Sequence, residues 1–148
     1  MSEKIIIREV SEDDYYKKHL ELYKESYSIN PNLINIIDYK QYIQEQKDKN
    51  NHIFVMEENN VIIGSASCLI ETKFIHNFGK VAHIEDVVIS QNNQGKGLGK
   101  KIIEYCVQYA KKNTCYKVIL DCDDNNVAFY EKCNFERKGN MMAKYFDL

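Results

Sequence analysis

Residues 81–112 run VAHIEDVVIS, QNNQGKGLGK and KIIEYCVQYAKK. The first segment carries Val81, Ile84, Val87, Val88 and Ile89, the β-branched content of a central strand. Its alternation breaks at Glu85 and Asp86, which marks a local irregularity. Gly95, Gly97 and Gly99 follow at every second position. The helix that follows sets Leu98, Ile102, Cys106 and Tyr109 on one face, with Lys100, Glu104, Gln108 and Lys111 opposite. A strand, a glycine loop and a helix in this order present backbone N–H groups and the positive helix end to an anion. The loop is no P-loop, because no Ser or Thr follows Lys96 or Lys100. It also reads GxGxGx, not GxGxxG. Taken alone, it is as readily a glycine-rich turn without a ligand.

The composition narrows the choice. A length of 148 residues suits one domain, 1–148, and is enough to bury a core. With a net charge of −2 and acids interspersed with bases, there is no basic stripe for nucleic acid. An anionic ligand would need local donors. No run of about 18 apolar residues offers a membrane span, and MSEKIIIREV has too short an apolar core for a signal peptide. The five cysteines are odd in number and form no CxxC pair, so reduced thiols in a cytoplasmic protein are expected. The histidines at 19, 52, 76 and 83 are too scattered for a metal site, and none is expected.

Outside the central stretch, residues 4–10 form a β-branched run that predicts a first strand. Ser11, with an acid three residues on, predicts an N-cap, and Tyr16, Leu20, Tyr23 and Tyr27 supply the apolar face of the helix that follows. Pro31 breaks the chain, and a weaker helix is expected over 38–47. Two apolar runs, 52–58 and 61–70, flank Asn59 and Asn60 and predict a hairpin. A loop is expected over 71–80, with Phe74 and Ile75 exposed. Beyond the glycine loop and its helix, the chain predicts a buried strand over 115–123, a short helix over 125–132 and a last strand over 141–146. Antiparallel pairing followed by a parallel βαβ crossover makes an α/β mixed sheet with helices on both faces.

The glycine loop also fits Gln-x-x-Gly-x-Gly at Gln94, Gly97 and Gly99, and so resembles the pyrophosphate-arm loop of the GNAT acetyltransferases. KFIH (73–76), HIEDVV (83–88), QGKGLGK (94–100), CYKVILDCD (115–123) and NVAFYEKCNF (126–135) together resemble one branch of that superfamily, the glucosamine-6-phosphate N-acetyltransferases. The resemblance covers nearly the whole chain from Lys4. It implies the GNAT fold and direct acetyl transfer from acetyl-CoA to the amine of glucosamine 6-phosphate, on the route to UDP-N-acetylglucosamine. It also implies a homodimer that shares its active sites.

The chemistry sets what the site must contain. An amine attacks a thioester only as the free base, the oxyanion needs N–H donors, and the leaving thiolate needs a proton or a strong hydrogen bond. Asp121, at a strand end beside the crossover, can orient or deprotonate the amine. The resemblance makes Tyr130 the phenol that stabilises the CoA thiolate, and it assigns Glu85 and Asp86 to the sugar's amine and hydroxyls. Backbone N–H groups near Val87 and Val88 would serve the oxyanion and the pantetheine. Gln94, Gly95, Lys96, Gly97, Leu98, Gly99 and Lys100 would hold the pyrophosphate, and Asn126 would touch CoA. Lys73 and His76 are candidates for the sugar or its phosphate.

The chain departs from the family pattern in three places. Lys144 and Tyr145 stand where an arginine usually holds the phosphate, and lysine lacks the bidentate fork. Asn134 replaces a common glycine. Tyr27 or Ser28 would stand in for a threonine hydroxyl. Other readings are a GNAT enzyme for another small amine or a protein N-terminus, a non-catalytic CoA-binding module, and acyl transfer through Cys122.

Overall fold

A computed structural model describes residues 4–148. Its sheet has five strands in the order β1 (Ile6–Glu9), β2 (Asn51–Glu58), β3 (Val61–Thr72), β4 (Lys80–Ile89) and β5 (Cys115–Ile119). The first four pair antiparallel, and β4 pairs parallel with β5. The parallel connection runs through the longest helix, α4 (Leu98–Lys112). Helices α1 (His19–Lys24) and α2 (Ile36–Asp48) connect β1 to β2, α3 (Ile75–Phe78) is a single turn between β3 and β4, and α5 (Val127–Lys132) follows β5. Among the described residues no helix is long and apolar enough to cross a membrane.

Period-two alternation gives the sheet two buried faces. Phe54 and Met56 of β2 face Leu98, Ile102, Ile103, Cys106 and Ala110 of α4. Ile53 and Val55 pack with Leu22 of α1 and Tyr39 and Ile43 of α2. Truncating a fully buried side chain such as Ile102 to alanine would cost about 2–5 kcal/mol. The hairpin forms where its turn is written, since Asn59 and Asn60 both take left-handed φ values, 55° and 59°.

Three sequence expectations fail, each for a physical reason. The first helix is broken in two. A 3-10 turn spans Glu12–Lys17, and Lys18 adopts φ 65° before α1 begins. That residue resets the helical phase, so Asp14, His19 and Leu22 are buried while Tyr16 lies on the surface. Asp14 is drawn inside by Arg8, whose guanidinium donates to both its carboxylate oxygens at 2.7 and 2.9 Å. Arg8 also bonds Glu57 at 2.6 Å, and the Ser11 N–H donates to Asp14 at 2.8 Å. Burial alone would raise the Asp14 carboxyl, but these donors override it and hold it below its ordinary range.

The other two failures share a cause. The strand expected to be buried over 115–123 is only five residues long and lies at the sheet edge, with Tyr116 and Ile119 partly exposed. The strand expected over 141–146 does not form, and Met141, Met142, Tyr145 and Phe146 are exposed. A strand needs a neighbouring ladder, and β5 and the tail supply none to each other here.

Two buried groups tie stability to pH. Burial pushes the His19 imidazole down to about 4 from an ordinary 6.5, with Asp14 pulling up and Arg8 pushing down. The unfolded chain therefore binds the extra proton between those values, so stability is full above the upper one and falls as pH drops toward the lower. The expected loss is about 3 kcal/mol. Asp14, also depressed, adds a further loss at still lower pH. Urea denaturation between neutral and acid pH is expected to show this slope, and His19→Gln is expected to flatten it. A wild-type profile flat over that window would contradict the burial of a neutral imidazole.

Candidate active site

The site is built around an interruption in β4. Pairing with β3 jumps from Ser65↔Val88 to Ser67↔Glu85, so Ala66 stands opposite both Asp86 and Val87. Asp86 takes φ 52°, a conformation uncommon for a residue other than glycine. This is a β-bulge, and it explains the break in alternation: Glu85 and Asp86 are both exposed in the middle of a strand whose other residues are mostly covered. Pairing with β5 also ends just before it, at His83↔Ile119. Beyond that point β5 ends at Ile119, and Asp121 follows outside the strand, close enough to Glu85 for its charge to act on that carboxyl.

Glu85, Asp121, Cys122 and Tyr130 line one open cleft of about 1240 Å³ between β4, α4, β5, α5 and the tail. Partial burial, then the charges of Asp121 and Asp86, push the Glu85 carboxyl up from its ordinary range. Burial pushes the Tyr130 phenol up to about 12, with the Cys122 and Cys133 thiols, Tyr27 and Asp121 adding to the effect. Tyr130 is therefore a protonated donor at neutral pH, held against Phe129 and Phe135 with ring centroids at 4.9 and 6.0 Å.

The glycine loop closes the other end of β4. Gly95 and Gly97 take φ 78° and 76°, and a methyl group at either would meet nothing within 4 Å. Glycine is needed there for backbone conformation and not for space. Gly97 caps α4, and from residue 95 to residue 100 no backbone N–H donates to a protein acceptor among the described residues. Gln94 turns its amide back onto the Ile89 carbonyl at 3.2 Å, and Lys96 holds Asn93 at 3.2 Å. Leu98 is buried and anchors the loop, while Lys100 is exposed. At Gly99 the reason is contact: a methyl group would lie 3.1 Å from the Phe129 ring. Phe129 neighbours Tyr130, so α5 joins the loop to the cleft.

The remaining candidates lie apart from this cluster. Asn126 is exposed at the start of α5 and caps no backbone group with its side chain. Lys73 pairs with Glu71 at 2.9 Å. His76, at φ 54°, packs its ring tilted against Tyr116 of β5, with centroids 4.2 Å apart. Lys144 is exposed on the tail, near the Phe146 ring. Within one chain, none of these four lines the cleft. Sequence reasoning offered Tyr27 as a substrate contact, read Tyr23 only as part of an apolar helix face, and missed Tyr42. Burial raises Tyr23, Tyr27 and Tyr42, and the Asp86 charge adds to each. Tyr42 gave no signal, because α2 reads as a plain amphipathic helix.

A bulged central strand, a parting parallel neighbour and a glycine loop capping the crossover helix define an acyl-CoA-dependent N-acyltransferase fold. The pattern of the acetyltransferase (GNAT) family matches residues 13–135, and the chain belongs to that family. A crystal structure of glucosamine-6-phosphate N-acetyltransferase from Arabidopsis thaliana superposes with a TM-score of 0.92 at 37% identity, covering 98% of this chain and all of that one. Glucosamine 6-phosphate N-acetyltransferase 1 of Dictyostelium discoideum is 39% identical over 95% of this chain and 90% of its own length. The Arabidopsis thaliana enzyme of the same name is 48% identical over 64% of this chain and 65% of its own.

The left-handed geometry at Gly97 is testable. Gly97→Ala is expected to lower stability by about 1 kcal/mol in urea denaturation through backbone strain alone. An unchanged midpoint would mean that the loop relaxes out of this conformation.

Proposed function

We propose that this protein transfers acetyl from acetyl-CoA to the amine of glucosamine 6-phosphate, giving N-acetylglucosamine 6-phosphate and CoA. The observation that carries the reading is the convergence of Glu85, Asp121 and Tyr130 on one cleft, linked through α5 to a loop with free N–H groups. The named activity of the relatives supports the choice of amine.

In this reading the amides over 95–100 bind the pyrophosphate at the head of α4. The pantetheine runs along β4 where β5 has left it, and N–H groups at Val87 and Val88 hold the thioester oxygen. Asp121 and Asp86 orient the sugar. The amine nitrogen attacks the carbonyl carbon and loses its proton to Glu85, whose raised pKa brings it closer to working pH. The oxyanion collapses, the C–S bond breaks, and the departing thiolate accepts a hydrogen bond from the Tyr130 hydroxyl, which keeps its proton, until solvent protonates the sulfur. Lysine would neutralise the sugar phosphate as a point charge.

The expected kinetic signature has two parts. Glucosamine 6-phosphate should be preferred over glucosamine by about 10²-fold in kcat/KM, as loss of a charge-assisted contact predicts. Tyr130→Phe should lower kcat by about 10²-fold with little change in KM for the sugar. Equal use of both sugars would remove the phosphate contact, and unchanged turnover would remove Tyr130 from the chemistry.

We further propose a homodimer that shares its active sites. The unpaired β5 edge and the exposed Met141, Met142, Tyr145 and Phe146 of the tail support it. So does the placement of Lys73, His76 and Lys144 outside the cleft of their own chain. Light scattering is expected to give twice the 17.4 kDa chain mass. A monomer at working concentration would refute the arrangement.

A further inference from the structure

The glycine loop is weakly held by burial. Between β4 and α4, residues 91–97 are exposed apart from Asn93, which is partly covered, and Leu98 is the first buried residue. Most of the hydrogen bonds of the loop are internal. The Asn93 N–H donates to the Ser90 carbonyl at 2.9 Å, and the Asn93 side-chain amide donates to Ser90 Oγ at 2.7 Å. The Gln94 N–H reaches the Gln91 carbonyl at 3.4 Å. The side chains of Gln94 and Lys96 turn back to Ile89 and Asn93. These bonds stiffen the turn, but none fixes it to the rest of the molecule.

One contact does. The Gln91 N–H, which opens the 3-10 turn Gln91–Asn93, donates to Glu25 Oε2 at 3.0 Å. Among the described residues this is the one hydrogen bond recorded from 91–97 to an element other than the flanking β4 and α4. Glu25 is firmly rooted. It follows α1, whose His19 and Leu22 are buried in the core. The backbone is tight there, since the Ser26 and Tyr27 N–H groups both donate to the Tyr23 carbonyl, at 3.1 and 2.8 Å. The Glu25 carboxylate itself forms no ion pair among the described residues. At the root of an anion-binding loop its charge opposes a phosphate, while its bond orders the donors that a phosphate needs. The two effects have opposite sign, so substitution can separate them.

We propose that Glu25 is a positioning residue: by accepting the Gln91 N–H it ties the glycine loop to α1 and holds the free N–H groups over 95–100 ready for linked phosphates. The inference rests on the CoA-binding part of the acetyl-transfer reading and is independent of which amine is acetylated. A loop already held in its bound orientation loses less conformational freedom when the ligand arrives. The tether therefore acts on affinity for the nucleotide and not on the chemical step.

Calorimetric titration of the full chain with CoA tests this, with Glu25→Ala and Glu25→Gln beside the wild type. Glu25→Ala is expected to raise Kd about fivefold, as loss of one exposed hydrogen bond predicts. Glu25→Gln keeps a side-chain oxygen that can accept the Gln91 N–H, so its Kd should stay within about twofold of wild type. In steady-state kinetics KM for acetyl-CoA should follow Kd, with kcat and KM for the amine unmoved. Glu25→Ala binding as tightly as wild type, or more tightly, would overturn the proposal, because charge alone would then describe the residue. Equal weakening in both variants would overturn it as well. A wild-type chain that binds no CoA would instead sink the functional reading, and deuterium exchange at the Gln91 amide would then decide the tether by itself. Faster exchange in Glu25→Ala but not in Glu25→Gln is expected, and equal rates in every variant would refute it.

Discussion

The structure turns on one break in strand pairing. Where Ala66 faces both Asp86 and Val87, β4 can no longer keep regular neighbours on both sides. The consequences follow in order. Two acids become exposed in mid-strand, the parallel ladder with β5 stops at His83, and Asp121 follows β5 outside the ladder. A regular β4 would have buried one acid at high cost and left no gap between the strands. The bulge thus converts a packed sheet into a cleft without loosening the core on either face, where Ile102 and Val55 remain fully covered.

Charge is arranged around that break with the same economy. Glu85, Asp86 and Asp121 lie close enough that each acid discourages ionisation of Glu85, and this makes a surface carboxylate a better proton acceptor. Tyr130 is shifted the opposite way in use, toward holding its proton. The one strong cationic network near the N-terminus, Arg8 with Asp14, Glu57 and Lys17, is spent on structure. Positive charge for an anionic ligand must therefore come from the backbone at the head of α4, from scattered lysines and from Arg137, which lines the cleft.

Much of this was legible in the sequence. The strand, glycine loop and helix over 81–112 read correctly, because β-branched content, left-handed glycines and helical spacing agree with one another there. Asn59 and Asn60 announced their turn, and the broken alternation at Glu85 and Asp86 was visible as an irregularity. The phase of the first helix was not legible, since nothing local marks Lys18 for a left-handed conformation; Arg8, distant in the fold, selects it by holding Asp14 inside. The tail strand failed because a strand's partner is not a local property. The hydrogen-bonded chain of Tyr39, His19, Ser65 and Tyr23 was hidden for the same reason, being assembled from α2, α1 and β3.

Amides at the head of α4 that grip linked phosphates would set a thioester beside Asp121 and Tyr130. A crystal structure with bound coenzyme A is expected to show pyrophosphate oxygens within hydrogen-bond distance of backbone N–H groups over 95–100, with the sulfur at the Tyr130 hydroxyl. Phosphates bound elsewhere, or a sulfur remote from both side chains, would contradict it.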